Sequence, residues 1–296
     1  MRQVLSMEIL ALLFLLAFTP GGDMVAAPDD YGNVILWSAA SGEQVQMLEA
    51  NSDQVMSIAM RPDGKYMVTG GKDGSVALWD MQKRVIIKTQ AAHADWVLAA
   101  QFSKDGNVLM TASRDGTMCF WTMPEFIRIG FVMTDAGHLF TASLSPDAQW
   151  ATAVAADGAL YVWKGPKTWK LNKKIEGVNA LTTAFNPSGD LFVTGGDQGE
   201  IRAYRMSGDS WAQVRSWTFS LVRITNLEFC PDSKCLMMIS DYERAYTMPM
   251  REDATPSLVY DASGEDQFGV WDLAFSSDGA RLATIDAAGQ VAVIER

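Results

Sequence analysis

Short apolar runs that end in an aromatic side chain recur along the whole chain at a nearly constant interval. Residues 73–79 read Asp-Gly-Ser-Val-Ala-Leu-Trp, and residues 115–121 read Asp-Gly-Thr-Met-Cys-Phe-Trp. The end positions of these runs are Trp37, Trp79, Trp121, Trp163, Tyr204, Tyr246 and Ile294. The first four are 42 residues apart, and the later intervals are 41, 42 and 48 residues. A fixed period of this length is typical of repeat architectures.

A turn sequence rich in Pro, Asp and Gly precedes the end position of every repeat, as in Pro62-Asp63-Gly64 and Pro146-Asp147-Ala148. These residues favour tight turns between strands. Around them lie short β-rich runs, for example residues 55–60, 66–69, 76–79 and 84–88. No helical apolar period appears beyond the first twenty residues. The pattern predicts an all-β, seven-bladed β-propeller with four-stranded blades, as a single domain over residues 1–296.

The third repeat carries a combination of residues that resembles the WD-repeat family of propellers. It has His93 before its first strand, Thr111 on the second, Asp115 in the following turn and Trp121 on the third. The resemblance implies that these four side chains form a hydrogen-bonded structural network. Other repeats keep parts of the set, and repeats six and seven are degenerate. The resemblance covers essentially the whole chain and implies the fold more strongly than any particular function.

The bulk composition narrows the class of protein. Hydrophobic residues make up 48% and charged residues 20% of the chain, so disorder is not indicated. A formal net charge of −11 argues against general nucleic-acid binding, which needs a basic surface. The three cysteines, Cys119, Cys230 and Cys235, fit no metal-ligand spacing and no even disulfide framework. We expect them to be free thiols in a reducing compartment.

The first residues of the chain allow two interpretations. Residues 9–18 form an apolar run that looks like the core of a signal peptide, with Val25-Ala26-Ala27 as a possible cleavage site. The repeat register instead makes this run the first strand of blade one, and cleavage after Ala27 would delete two strands. The run is too short to span a bilayer as a helix. We expect the structural interpretation to hold.

Ring closure is predicted from the register of the last repeat. The chain stops after the third strand of blade seven, which leaves that blade without an outer strand. Residues 3–5 lie one repeat before the outer strands of the other blades. We expect this N-terminal strand to complete blade seven and to remove an open sheet edge.

The same register marks a ring of positions near the mouth of the channel, among them Gln54, Trp96, His138, Asn179 and Arg223. These five residues and Trp271 are the candidate partner-binding residues. Trp and Arg are enriched among interface hot spots. The alternatives are that Trp96 only packs against a neighbouring blade and that His138 is a solvent-facing loop residue.

A basic segment on an otherwise acidic chain is the second candidate surface. It contains Lys164, Lys167, Trp169, Lys170, Lys173 and Lys174, at the outer strand of blade four. One interpretation is a charged edge strand that resists pairing with other sheets. The other is a docking patch for an acidic partner.

Catalytic groups cannot be assembled from this sequence. Only two histidines are present, and His93 belongs to the structural network, so no Ser-His-Asp set exists. Gly70-Gly71 and Gly195-Gly196 lie at the ends of second strands, where close packing explains them better than phosphate binding. We expect no enzymatic activity, no metal and no cofactor.

Two classes of function therefore stay open. The WD-repeat resemblance implies a non-enzymatic protein-interaction scaffold, which we interpret as a cytoplasmic or nuclear subunit of a multiprotein complex. Its partners would be other proteins, without nucleic acid or a membrane span, and it would be monomeric on its own. The alternative is an exported propeller, secreted or periplasmic, with a cleaved leader and a ligand-binding or enzymatic role.

Overall fold

A computed structural model describes residues 16–29, 31–49, 53–220, 223–241, 243–261, 269–285 and 291–295. Within these ranges the chain forms strands and turns, without a helix. The strands group into seven antiparallel sheets, and in every sheet each strand pairs with its neighbour along the chain. The predicted all-β propeller of seven blades is thus confirmed.

The first four blades contain four strands each. Blade one has β1 (Ala17–Phe18), β2 (Met24–Pro28), β3 (Val34–Ser38) and β4 (Gln44–Leu48). Blade two has β5 (Val55–Met60), β6 (Tyr66–Gly71), β7 (Ser75–Asp80) and β8 (Val85–Ala91). Blade three has β9 (Val97–Phe102), β10 (Val108–Ser113), β11 (Thr117–Thr122) and β12 (Ile127–Met133). Blade four has β13 (Leu139–Leu144), β14 (Trp150–Ala155), β15 (Leu160–Lys164) and β16 (Lys170–Ile175).

The remaining blades follow the same order. Blade five has β17 (Ala180–Phe185), β18 (Leu191–Gly196), β19 (Glu200–Ser207) and β20 (Ser210–Thr218). Blade six has β21 (Ile224–Phe229), β22 (Cys235–Ser240), β23 (Arg244–Pro249) and β24 (Ser257–Asp261). Blade seven has three described strands, β25 (Asp272–Phe275), β26 (Arg281–Ile285) and β27 (Val291–Glu295). The predicted fourth strand, residues 3–5, lies outside the described residues.

The turn between the first and second strands has the same backbone in all blades. In each, the residue after the first strand donates its N–H to the carbonyl five positions on, as Ser103 does to Val108 at 2.8 Å. In blades three, four and seven a serine hydroxyl also donates to the aspartate two residues later, as Ser103 does to Asp105 at 2.6 Å. The Pro, Asp and Gly pattern therefore specifies one recurring hairpin.

An apolar cluster fills each joint between neighbouring blades, and together the seven clusters form the core. Close packing at these joints explains the glycines at the ends of second strands. A Cβ on Gly70 would lie 2.5 Å from Val97 of the next blade, and one on Gly195 would lie 2.5 Å from Ile224. Both glycines thus have the packing role predicted from the sequence.

Blade one packs directly against blade seven, which closes the ring. Leu16 N–H donates to Asp272 Oδ2 at 2.9 Å, and Ser277 Oγ donates to the carbonyl of Pro20 at 2.8 Å. The guanidinium of Arg281 donates to the carbonyl of Gly22 at 2.8 Å. We call this joint the seam.

The N-terminal apolar run belongs to blade one as far as the structure describes it. Ala17 pairs with Ala26, and β2 continues the sheet with Val25, Ala26 and Ala27 all buried. Residues 9–15 of the run lie outside the described residues. No helix in the described part of the chain is long and apolar enough to cross a membrane.

Candidate functional site

His93 is the centre of a hydrogen-bond network in blade three. Its Nε2 lies 2.9 Å from Thr111 Oγ1, and Trp121 Nε1 donates to the same oxygen at 3.1 Å. Its Nδ1 lies 2.8 Å from Thr117 Oγ1 and 3.6 Å from Asp115 Oδ2. The four residues that the WD-repeat resemblance grouped are therefore in contact through one network. Thr117 is a fifth member, which the sequence analysis did not predict.

Hydrogen-bond direction places a proton on Nδ1 of His93. Thr117 Oγ1 donates its single proton to Asp115 at 2.5 Å, so it accepts a hydrogen bond from Nδ1–H of His93. Nε2 of His93 shares a hydrogen bond with the hydroxyl of Thr111. Burial favours the protonated form of Asp115, but hydrogen bonds from His93, Thr117 and Ala94 N–H outweigh burial and hold its pKa well below the ordinary value. All of these groups are engaged with one another, which makes the network a structural one.

The residues predicted at the channel mouth share one backbone contact. In blades two to six, the carbonyl of the candidate residue accepts the N–H of the residue 18 positions later, at 2.8 to 3.3 Å. The pairs are Lys72 with Gln54, Arg114 with Trp96, Ala156 with His138, Asp197 with Asn179, and Asp241 with Arg223. Five of the six candidates therefore lie on one face of the disc, which we call the top face. The sequence repeat contains this constant 18-residue offset, but the sequence analysis did not predict the residue that donates its N–H in each pair.

Trp96 lies between two cations on the top face. Lys72 Nζ is 5.0 Å and Arg114 Cζ is 4.9 Å from the centroid of its ring. Lys72 Nζ also donates to Gln54 Oε1 at 3.0 Å, and His138 Nδ1 lies 2.6 Å from the carbonyl oxygen of Arg114. These five residues form a contiguous group that we call the Trp96 cluster.

The cations of the Trp96 cluster form no ion pair with a carboxylate in the described part of the chain. The nearby aspartates serve local turns, since Asp73 accepts Ser75 N–H at 2.9 Å and Asp95 accepts Trp96 N–H at 2.8 Å. Trp96 itself is half-buried, so one part of its ring packs and another part faces solvent. The cluster thus offers an aromatic surface flanked by two positive charges.

The other candidate residues have different surroundings. His138 and Asn179 are exposed, as are the neighbouring Asp197 and Ala156. Burial raises the pKa of Asp241, while the positive charge of Arg223 opposes that shift. Trp271 is half-buried and packs against the apolar cluster of the seam. The top face is therefore basic near blades two and three and carries acidic side chains near blades five and six.

Most cations of the basic segment already have partners in the protein. Lys164 Nζ donates to Asp209 Oδ1 at 2.7 Å, and this hydrogen bond lowers the pKa of Asp209. Lys173 Nζ donates to the carbonyl of Trp211 at 2.9 Å. Lys174 Nζ lies within 4 Å of three carboxylates, those of Asp135, Asp157 and Glu176.

Of the other members of the basic segment, the two lysines are exposed to solvent and the tryptophan packs on a buried side chain. Lys167 and Lys170 are exposed. Trp169 reaches across to blade three and stacks on Phe120, with ring centroids 3.6 Å apart and planes 8° apart. The segment therefore links blade four to its neighbours, and two of its five lysines, Lys167 and Lys170, have no ion pair or hydrogen bond with any residue that the structure describes.

A family model described as WD domain, G-beta repeat matches residues 42–80, 84–122 and 169–205. Each matched segment begins at or near the outer strand of one blade and ends at the third strand of the next. The same ranges contain Thr69 and Trp79, which bond at 3.0 Å, and the His93 network.

The chain is a seven-bladed β-propeller in which three segments match the WD-repeat family model. No curated protein matches it. WD-repeat propellers generally act as protein-interaction scaffolds and are typically non-enzymatic.

The channel of the propeller holds a cavity of about 320 Å³, lined largely by first-strand residues of blades three to seven. Side chains there accept backbone N–H groups from the next blade. Leu144 N donates to Gln101 Oε1 at 2.8 Å, and Phe185 N donates to Ser143 Oγ at 3.2 Å. Phe275 N donates to Glu228 Oε1 at 3.4 Å. Blade six therefore uses an ionisable group where blades three and four use neutral ones.

Glu228 is the unusual member of this cavity. Its Oε2 is buried and has no hydrogen-bond partner among the described residues. Burial, together with the nearby charge of Asp272, raises the pKa of Glu228 to about 8. The carboxyl is thus largely protonated at neutral pH. Sequence reasoning missed it because the repeat pattern does not distinguish a channel-facing glutamate from an exposed one.

Cys230 and Cys235 are joined by a disulfide, with Cα atoms 5.2 Å apart. The expectation of three free thiols is wrong for this pair, whereas Cys119 is a buried free thiol whose pKa is raised by burial. The two cysteines flank the first turn of blade six, where Cys230 N–H donates to Cys235 O at 2.9 Å. The recurring hairpin therefore brings them within bonding distance.

The same turn contains the one group of three potential metal ligands found in the described ranges, namely Cys230, Asp232 and Cys235. Because the two sulfurs are bonded to each other, neither is available as a thiolate ligand.

Proposed function

We propose that this WD-repeat propeller is a non-enzymatic interaction platform in a multiprotein complex, and that the Trp96 cluster is its docking centre. The observation that carries the proposal is the half-buried Trp96 ring between Lys72 and Arg114. A few residues supply most of the binding energy at protein interfaces, and tryptophan and arginine are enriched among them.

The chemistry of the cluster favours an acidic peptide segment as the partner. A carboxylate could bind Lys72 or Arg114 while an adjacent apolar group packs on the Trp96 ring. The chain as a whole carries a net charge of −11, so an acidic partner is repelled by most of the surface and attracted locally. This charge distribution orients the partner on the surface as well as contributing to its affinity.

Charge reversal at Lys72 tests this proposal. We expect Lys72→Glu and Trp96→Ala each to reduce partner recovery at least tenfold, because loss of a hot spot costs about 2 kcal/mol. The measurement is affinity purification of the tagged, intact chain from its native source, with quantitative mass spectrometry of the co-purifying proteins.

Lys234→Glu is the matched control for Lys72→Glu. It introduces the same charge at an exposed lysine in a turn between first and second strands, at the end of the blade opposite the top face. Partner recovery unchanged by Lys72→Glu and Trp96→Ala, or reduced equally by Lys234→Glu, would contradict docking at the Trp96 cluster.

The disulfide supports the second candidate function, an exported propeller that binds a ligand. Disulfides persist mainly in oxidising compartments, which favours export over the cytoplasm or nucleus. Cleavage after Ala27 is disfavoured, because it would remove β1 and cut through the buried strand β2.

The mass of the native protein, alkylated before lysis, separates the two candidates. A chain starting at Met1 or Arg2 with Cys230 and Cys235 alkylated supports the cytoplasmic platform. A trimmed chain in which both cysteines escape alkylation supports the exported protein.

A further inference from the structure

The outer strand of blade three exposes a row of large apolar side chains. In β12, the exposed fractions are 57% for Ile127, 41% for Ile129, 53% for Phe131 and 67% for Met133. Contiguous apolar surface of this kind on a soluble protein indicates an interaction site.

No other outer strand in the described chain carries so many. β4 and β8 expose two large apolar side chains each, and β16, β20 and β24 expose one each. The neighbouring β16 carries three lysines, Lys170, Lys173 and Lys174, whereas β12 carries one charge, Arg128. Charged residues are the usual protection of an edge strand. β12 lacks that protection along most of its length.

The two faces of β12 have different environments. Gly130 is paired with Phe120, and both lie under Trp169 of blade four, while Val132 is buried on the same face. Phe131, paired with Cys119, and Met133, paired with Thr117, belong to the opposite face. That face is directed toward blade two, since Cys119 packs in the cluster between blades two and three. One face is thus closed by blade four, and the other is open.

Two cations accompany the open face. Lys88 of blade two donates to the carbonyls of Glu125 and Phe126 at 3.1 and 3.2 Å, next to the start of β12. Arg128 is exposed within the strand itself. Neither forms an ion pair with a carboxylate within the described ranges. Both cations lie at the start of β12, so this edge is complementary to an extended segment that is apolar along most of its length and acidic at one end.

A second copy of the chain fits this edge less well. The register of β12 shifts between Phe120 and Trp121, so one residue of the strand is bulged. A bulge interrupts the regular ladder that two identical seven-residue strands would need. A short partner segment can pair with the regular part, residues 130–133, alone.

We propose that β12 is a docking edge for an extended segment of a partner protein that is apolar along most of its length and acidic at one end. The segment pairs with the free edge of β12, packs alternate apolar side chains on Ile129, Phe131 and Met133, and places the carboxylates of its acidic end near Lys88 and Arg128, at the start of β12. This mode is strand addition, in which main-chain hydrogen bonds give affinity and alternate side chains give specificity. The site is separate from the Trp96 cluster and does not depend on it.

A synthetic peptide with a run of four valines and a run of three glutamates, equal in total length to the seven residues of β12, is the probe. We expect saturable binding by fluorescence anisotropy, slower hydrogen exchange across β12 on binding, and at least a tenfold loss of affinity in Phe131→Glu. Leu258→Glu is the control, because Leu258 is also 53% exposed on an outer strand, β24, and should leave binding unchanged.

A valine and lysine peptide tests the charge. Lys88→Glu should lower the affinity for the glutamate peptide and raise the affinity for the lysine peptide. Absence of saturable binding at millimolar peptide, an equal loss in Leu258→Glu, or exchange protection elsewhere than β12 would overturn the proposal. So would a dimer in sedimentation experiments that Phe131→Glu dissociates, since a second copy would then be the occupant.

Discussion

Asp272→Asn is expected to lower the free energy of unfolding by about 3 kcal/mol, because it disrupts a buried carboxylate that joins three blades. Asp272 is 2% exposed. Its Oδ2 accepts Leu16 N–H of blade one at 2.9 Å. Its Oδ1 accepts Asn226 Nδ2 of blade six at 2.6 Å and Leu273 N–H at 2.8 Å. An asparagine has one acceptor oxygen and would direct an NH₂ group at one of these donors.

Chemical denaturation of the wild type and the variant measures this loss. Asp209→Asn is the control, since the Asp209 side chain is 90% exposed and forms a single surface ion pair with Lys164. Its effect should be far smaller than that of Asp272→Asn, because an exposed ion pair contributes little to stability. If Asp272→Asn proves as mild as Asp209→Asn, the carboxylate does not hold the seam.

Glu228→Gln is expected to stabilise the protein at neutral and alkaline pH. The pKa of Glu228 is about 8 in the folded protein, against an ordinary value of 4.5. The unfolded chain therefore releases this proton at a lower pH than the folded chain does. The contribution of Glu228 is fully present below about pH 4.5 and is lost as the pH rises through the folded pKa. At pH 7 the loss reaches at most about 3 kcal/mol, from about 1.4 kcal/mol per pKa unit.

Thermal unfolding between pH 4.5 and 9 tests this sign. Wild type and Glu228→Gln should have similar stability near pH 4.5, and the variant should become progressively more stable above it. Gln101→Glu provides the reverse experiment, because Gln101 accepts the N–H of the next blade in the same way. Gln101→Glu should lower the free energy of unfolding at alkaline pH. Parallel pH profiles for wild type and Glu228→Gln would rule out a protonated Glu228 at neutral pH.

The repeat made most of the fold predictable from the sequence. Its period fixed the number of blades, and the turn residues located the hairpins between first and second strands. Trp121, Thr111 and His93 could be grouped because their positions match the WD-repeat pattern. All of these features repeat, so seven imperfect copies reinforce one another.

The features that the sequence did not reveal occur once and depend on contacts between blades. Trp169 was assigned to a basic patch, yet it packs on blade three, because the sequence gives no sign of how far its loop reaches. Glu228 became distinctive only when its unpartnered oxygen was placed in the channel. The disulfide is different, since Cys230 and Cys235 flank a turn that the pattern had already located. Following that hairpin to its flanking residues would have predicted the bond.

The stacking of Trp169 over Gly130 limits how freely single blades can be exchanged. A Cβ at position 130 would lie 2.5 Å from Trp169 Cδ1, so a glycine in one repeat is matched to a tryptophan supplied by the next. Duplicating, deleting or transplanting blade three alone would separate the two and leave either a collision or a hole. In recombination or protein engineering, blades three and four therefore form one inheritable unit, although the sequence repeats once per blade.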